Sequence, residues 1–477
     1  MSVLLLTKNL FLFYSRKRYC SIAVPDVDLH GVSWGYYIIM PRSFPEDLAN
    51  HVHSQLVARK EHPPSLRVLT RLFETLYFAS LKREENQPIS CRVAFIIRKR
   101  PDPHPPRRIV ADRWQYFPLA HDLPFNVRNL VKLSTAVDPW GSTLAVDTDS
   151  HGKLRIWGLI DQSVHYSTYI VKEVSSGAEM PGMFQAVIHG TGEIAAYKTY
   201  VLLGNLKQDT LVVRQQRVFQ SGPVHSKLML SIRDFQQRVR RKVGSALYNE
   251  RGHWDQSLEE MWISALCRVL ISIQRYHHGG TVLISDVGSG LNPKYSLQYG
   301  RLADALFRAA VHSIENTSYK DEIIEEYLDT EADDIPVDLY WDEAASGDEM
   351  EDTNDEVTGC VRFLASLSRT DGLIWLDSKL QLKAFGVEVT VRDDPTRAFL
   401  ARNTQATKTR NLDLNHFGTR HRSVLRYCAA NPKSVGFVVS QDGDVRAITQ
   451  FDNRVLLWDN VRIQSLRNAR TITAVSA

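Results

Sequence analysis

The chain has little cysteine, and none of it falls in a pattern that cysteine chemistry requires. Cys20, Cys91, Cys267, Cys360 and Cys428 are odd in number and far apart, so no pair has zinc spacing and no disulfide framework is implied. A reducing, cytoplasmic compartment is the expectation. Long hydrophobic runs are also missing. The apolar stretch from Leu4 to Phe13 falls well short of the roughly 20 residues a membrane helix needs. Arg16, Lys17 and Arg18 follow that stretch, whereas a secretion signal carries its charge first, so residues 1–30 read as an N-terminal extension and no membrane partner is expected. No Walker, HExxH, GxSxG or kinase signature occurs, and no RNP, KH or helix-turn-helix pattern, which argues against nucleic acid as the partner.

Charge is present but segregated. The net charge is +4, yet residues 321–357 hold 17 Asp and Glu with no Lys or Arg, which leaves +21 on the rest. A basic body suits polyanionic ligands such as nucleotides. The acidic stretch, by its charge density and Gly/Ser/Asp content, Ser346-Gly347-Asp348 among it, reads as a mobile surface insertion.

Residues 31–222 mix short apolar strands with turns. One helix is expected from Pro64 to Lys82, where Leu69, Leu72, Phe73, Leu76 and Tyr77 share a face. Strand-like runs at 91–97, 143–146, 154–160, 184–188 and 194–203 make this a separate α+β or mostly-β module. Gly190-Thr191-Gly192 lacks the third glycine and ribose-binding acid of a dinucleotide site and reads as a hairpin turn. Trp140, Trp157, Tyr166 and Tyr169, with His165 and Asp161, are candidates to line a pocket or to fill the core. Residues 223–254 read as a basic helical linker. Residues 255–465 alternate helices with strands and close hairpins, one of them at Asp442-Gly443, which predicts an α/β domain with a mixed sheet flanked by helices. Residues 466–477 form a tail.

Within that domain the stretch Gly418-Thr419-Arg420-His421-Arg422 precedes an amphipathic run, with Val424, Leu425, Cys428 and Ala429 on one face and Pro432 as its stop. A helix N-terminus flanked by two guanidinium groups is a receptor for phosphate. Upstream lies Asp371-Gly372-Leu373 before an apolar strand; downstream, Val438-Val439-Ser440-Gln441 ends another.

This ordered series resembles the diadenylate cyclase domain, which carries a DGA motif, a GTRHR motif and a later Ser-Glu after a hydrophobic strand. The resemblance covers about Asp255 to Asn460. It implies condensation of two ATP into cyclic di-AMP and two pyrophosphates, with Mg²⁺ or Mn²⁺ as cofactor. Asp371 is then the catalytic carboxylate, which orients or deprotonates the attacking hydroxyl, and a candidate metal ligand. Gly372, Leu373, Gly418, Thr419, Arg420, His421, Arg422, Ser423 and Ser440 form the nucleotide and phosphate site. Ring closure further implies a homodimer or higher oligomer with facing sites.

Three positions depart from the family pattern: Leu373 replaces alanine, Gln441 replaces an acid and so is a weak metal ligand, and Thr370 stands where some members have histidine. A catalytically silent nucleotide receptor using the same pocket, or a cyclase making a different cyclic dinucleotide, remains open on these residues. The upstream module resembles the DACNV-type sensor domain that precedes some of these cyclases, through Leu130-Val131-Lys132-Leu133, Asp138-Pro139-Trp140 and Arg155-Ile156-Trp157-Gly158-Leu159. Its ligand is not implied.

Overall fold

The structure is a computed structural model. It describes residues 11–14, 20–28, 31–38, 42–98, 115–137, 142–161, 184–198, 201–212, 215–249, 253–276, 278–324, 336–441 and 443–463. The described residues up to Val212 form one compact unit and those from Gln215 onward a second.

The first unit opens with three antiparallel strands, β1 (Phe11–Tyr14), β2 (Cys20–Asp28) and β3 (Gly31–Ile38). Helices α1 (Pro45–Ala58) and α2 (Leu66–Ser80) follow, then a small hairpin of β4 (Arg83–Glu84) and β5 (Gln87–Pro88). The α2 helix starts where Ser65 accepts a hydrogen bond from the Val68 amide, and its apolar stripe is the one expected from the 3.6-residue spacing. The main sheet is built from β6 (Cys91–Phe95), β7 (Gln115–Pro124), β8 (Ser142–Thr148), β9 (Leu154–Asp161), β10 (Phe184–Gly190), β11 (Glu193–Lys198), β12 (Val201–Lys207) and β13 (Thr210–Val212), with α3 (Val127–Ser134) between β7 and β8. The strand order is β13-β12-β11-β10-β6-β8-β9-β7, and only the β6–β8 pair is parallel. Helices α1, α2 and α3 cover one face, where Leu48, Phe73, Leu130 and Ile188 share a core. Gly190-Thr191-Gly192 is the hairpin turn between β10 and β11.

The second unit is α/β. Its first helices are α4 (Gly222–Val243), α5 (Ser245–Asn249) and α6 (Trp254–Arg275). The α4 helix lies over the stretch read as a linker, but Val224, Leu228, Ile232, Phe235 and Val239 on it are buried in the unit's main core. Val218 and Phe219 join that core from upstream, the Phe219 ring stacking on Phe437 at 5.3 Å. The α6 helix carries a broad apolar stripe, from Leu258 through Trp262 and Leu266 to Ile273, that is buried in the core.

After α6 come β14 (Gly280–Ile284), β15 (Leu291–Tyr299), α7 (Arg301–Glu322), α8 (Val337–Ser366), β16 (Leu373–Leu376), β17 (Leu382–Val389), β18 (Ala398–Ala401), β19 (Thr409–Asn411), α9 (Thr419–Ala430), β20 (Val435–Val439), β21 (Val445–Phe451) and β22 (Arg454–Trp458). These strands form one mixed sheet in the order β15-β17-β16-β14-β20-β21-β22-β18-β19, with β14–β16 and β18–β22 parallel. Helices α4, α6, α7 and α8 pack on one face. Helix α9 packs on the other, through Val424, Leu425 and Cys428 against Val438, Ile448 and Leu457. Gly436 makes that seat possible: a methyl group there would lie 2.2 Å from Val424 Cγ1.

The expectation of a mobile insertion over 321–357 is corrected. Residues 337–357 belong to α8, an ordered helix antiparallel to α7. Leu339, Ser346, Thr353 and Val357 are its buried positions. Small polar residues sit on the inner stripe at sevenfold spacing, so the helical period is there but hydrophobicity does not mark it. Three of its carboxylates pair with α7: Glu356 with Arg301 (2.6 Å) and Arg308, Glu349 with His312 (3.1 Å) and Glu343 with Lys320 (3.4 Å).

Candidate functional site

Three neighbouring strands begin or end together. Strand β16 starts just after Asp371-Gly372, β14 starts just after His278-Gly279, and β20 ends just before Ser440-Gln441. Because β14 runs parallel to β16 and pairs antiparallel with β20, with Gly280 opposite Val439, all three loops fall at one rim of the sheet. Adjacent strands are about 4.8 Å apart, so Asp371 and Ser440 are separated by about 10 Å along that rim.

The N-terminus of α9 reaches the same rim. Gly418 is its N-cap and offers no side chain to the first-turn amides, and Thr419 is exposed. These backbone donors therefore face outward beside the positive end of the helix. Arg420 Nη1 donates to His278 O at 3.3 Å. Gly279 has φ +71, and a methyl group there would lie 2.7 Å from Arg420 Nη1, 2.9 Å from Val439 O and 3.2 Å from Gln441 N. The turn thus holds the guanidinium against the end of β20.

The remaining residues of the stretch have distinct surroundings. His421 is partly buried beside the Phe417 ring, and Arg446 Nη1 lies 3.0 Å from its Nε2. Burial first, then the charges of Arg446 and Arg420, pull the imidazole down to about 4, so it is neutral at physiological pH. Arg422 is a brace: its Nη2 donates to Asp394 Oδ2 at 3.2 Å, and Arg426 Nε donates to the other oxygen at 2.6 Å. The Arg426 hydrogen bond, with the charges of both arginines, holds the Asp394 carboxyl below its usual range. Ser423 is half-buried one residue further along the helix.

At the strand end, Ser440 Oγ accepts from the Asp444 amide at 3.0 Å, which closes the β20–β21 hairpin and leaves the hydroxyl proton to donate elsewhere. Gly443 has φ +83 in that turn, and Asp442 lies outside the described residues. Gln441 is exposed.

Asp371 and Gly372 are exposed at the head of β16. Gly372 has φ +115, and its missing side chain is what lets the chain lie close against the paired strand β17: a methyl group would sit 2.4 Å from the Gly386 carbonyl carbon. Its smallness therefore serves the close approach of two neighbouring strands. Leu373 is buried with Leu283, Ala384, Val387 and Tyr427, so its side chain supports the sheet beneath α9. Lys294 on β15, paired to Glu388 at 3.1 Å, is held above the ordinary lysine range by that bond first, with the Asp371 charge a smaller cause.

Among the described residues no group of three His, Cys, Asp or Glu is disposed to hold a metal ion. One exposed carboxylate fits a divalent cation that keeps its waters and arrives on a polyphosphate, because Mg²⁺ sites commonly use one or two carboxylates plus substrate oxygens.

Three contributors were not singled out from the sequence: His278, Asp394 and Arg446. Arg446 carried a signal, a lone arginine inside the apolar strand Val445-Arg446-Ala447-Ile448. In the first unit, Trp157 is fully buried and donates from Nε1 to Ile96 O at 2.9 Å, which makes it core. Asp161 ends β9 exposed, and Trp140, His165, Tyr166 and Tyr169 lie outside the described residues.

Residues 58–161 match the family described as the probable sensor domain DACNV. Neither the curated proteins nor the solved structures yield a match. The chain thus carries a sensor-type module joined to an α/β unit with mixed sheet topology. Among the described residues no helix is long and apolar enough to cross a membrane.

Proposed function

We propose that the second unit is a diadenylate cyclase under the control of the DACNV-type module. The observation that carries this reading is the convergence at one sheet rim of the α9 N-terminus, the Gly279 turn and the Ser440 strand end, with Asp371 at the head of the adjacent strand. Backbone amides, Arg420 and the Ser440 hydroxyl supply donors for a triphosphate; neutral His421 supplies one more. Asp371 supplies the only exposed carboxylate at that rim that the sequence resemblance singles out. The DACNV match upstream supports the pairing.

Each 3′-hydroxyl attacks the α-phosphorus of the other ATP, a new O–P bond forms, and the bond to the β,γ-pyrophosphate breaks. Asp371 orients the hydroxyl and takes its proton, while Arg420 and the α9 amides offset charge on the phosphoryl oxygens. A bound Mg²⁺ or Mn²⁺ would neutralise the polyphosphate and sit against Asp371. Two such events close the ring, so two copies must face each other about a two-fold axis.

The test is product analysis by mass after incubating the full chain with ATP and Mn²⁺ or Mg²⁺. Cyclic di-AMP is expected, and D371N should abolish it while retaining ATP binding. R420A should weaken binding by about tenfold or more, the scale of a lost charge-assisted hydrogen bond. Tight ATP binding without turnover would overturn the cyclase in favour of a silent receptor, which the neutral Gln441 favours.

A further inference from the structure

We infer that Arg446 is a positioning residue that fixes the ring of His421 as the Nδ1–H tautomer, so that the ring meets a bound phosphate with a single proton at one place. This deepens the reading of the site as a phosphate receptor and rests on it. A guanidinium has five N–H donors and no acceptor. Arg446 Nη1 lies 3.0 Å from His421 Nε2, so Nε2 must be the accepting nitrogen and the ring's only proton is on Nδ1.

The fold fixes both partners. His421 sits in the first turn of α9 with the Phe417 ring 5.4 Å away, which limits its rotation. Arg446 comes from β21, where its backbone is paired with Val438. The same hairpin carries Ser440, so one β-turn delivers both a hydroxyl for the anion and the residue that orients the imidazole. The charged groups facing the ring are Arg420 from its own helix and Arg446 from the sheet. Arg446 is in turn faced by Asp444, at 3.9 Å, and by Asp459, whose carboxyl burial pushes up.

Protonating the ring would remove the acceptor and place a cation between two arginines. Those two costs add to that of burial, the largest cause of the depressed imidazole; replacing Arg446 by a neutral side chain removes the acceptor constraint and one of the two neighbouring cations, while burial and Arg420 remain. Arg446→Lys should preserve the arrangement, because an ammonium also only donates.

The experiment uses the full chain labelled with ¹⁵N-histidine, with the His421 resonances assigned by H421Q. Two-bond ¹H–¹⁵N correlations should place the His421 proton on Nδ1 and show no titration between about pH 5.5 and about pH 8. A proton on Nε2, or averaged signals from both tautomers, would overturn the inference with no variant needed. In R446L the signals should average and the titration should move toward the ordinary histidine range, while R446K keeps the wild-type pattern. ATP affinity, measured by calorimetry on the same proteins, should then tighten in R446L relative to wild type across the pH range in which its spectra show the ring titrating, as the ring gains charge. An R446L spectrum and pH profile identical to wild type would equally overturn it. Failure of the wild type to bind ATP would sink the nucleotide reading of the site instead, and the tautomer measurement would still decide the role of Arg446.

Discussion

Replacing Gly279 by alanine tests whether the turn before β14 holds Arg420, a donor of the proposed phosphate site, in place. Two costs are separable. The first is conformational: φ is +71, a left-handed value that costs an alanine about 1–2 kcal/mol. The second is contact: the new methyl would stand 2.9 Å from Val439 O and 2.7 Å from Arg420 Nη1. The carbonyl belongs to a strand paired across Gly280 and cannot easily withdraw, so overpacking adds about 1–3 kcal/mol. Gly152 provides the control. Its φ is +73 with nothing within 4 Å of the position a methyl would take, so G152A carries the first cost alone.

In denaturant titrations, G279A should therefore lower the stability of its unit by about 2–5 kcal/mol, against about 1–2 for G152A in its own unit. Arg420 is the partner that yields, because its tip is a flexible side chain. Its displacement should weaken ATP binding by about tenfold, whereas G152A should leave affinity unchanged. A G279A protein no less stable than G152A, with full ATP affinity, would refute the placement of Arg420 against this turn.

Leu339→Ala tests the ordered helix α8 within the acidic segment: burial at 8% exposure predicts a loss of about 2 kcal/mol or more, while a mobile segment would show under about 0.5. Asp394→Asn tests the Arg422 and Arg426 brace. The Asp394 carboxyl is depressed in the fold, so its contribution is present above the unfolded value of about 3.9 and is lost as pH falls through the lower folded value. The stability difference between D394N and wild type should accordingly vanish toward acid pH and shrink with added salt; a difference constant across pH would contradict the ion-pair assignment.

The elements that were legible are those whose side chains announce a period. The hairpin of β20 and β21 follows from two apolar runs around an Asp-Gly turn, and α6 from a stripe too apolar to face water. What could not be read is equally physical. Strand β15 is an edge strand exposed along nearly its whole length, so Leu291 to Tyr299 shows no alternation; it is held by backbone pairing to β17 and the Tyr295–Phe385 stack at 4.9 Å. Helix α8 hid its inner face behind Ser346 and Thr353. At the site, the motif residues were legible as types but not as roles. Arg422 and Arg420 are two positions apart in the same motif, yet one braces a loop and the other faces the rim. The difference lies with Asp394 and His278, which are distant in the chain.

The distribution of charge at the rim bears on how a metal would enter. A resident divalent ion needs several anionic ligands already gathered, and the described residues gather none. Asp371 is exposed and shares its surroundings with Lys294, whose ammonium the Asp371 charge helps keep protonated. Around α9 the balance is reversed, with Arg420 and Arg446 bringing positive charge against His421. The two ends of the rim thus differ in charge: the α9 end is positive, and the Asp371 end carries an exposed carboxylate. On the proposed reading a metal nucleotide would suit both, its phosphates toward the arginines and its cation toward the carboxylate. The neutral Gln441, at the arginine end, adds no anionic ligand of its own, so on the proposed reading a metal would be held by Asp371 and by the nucleotide it arrives with.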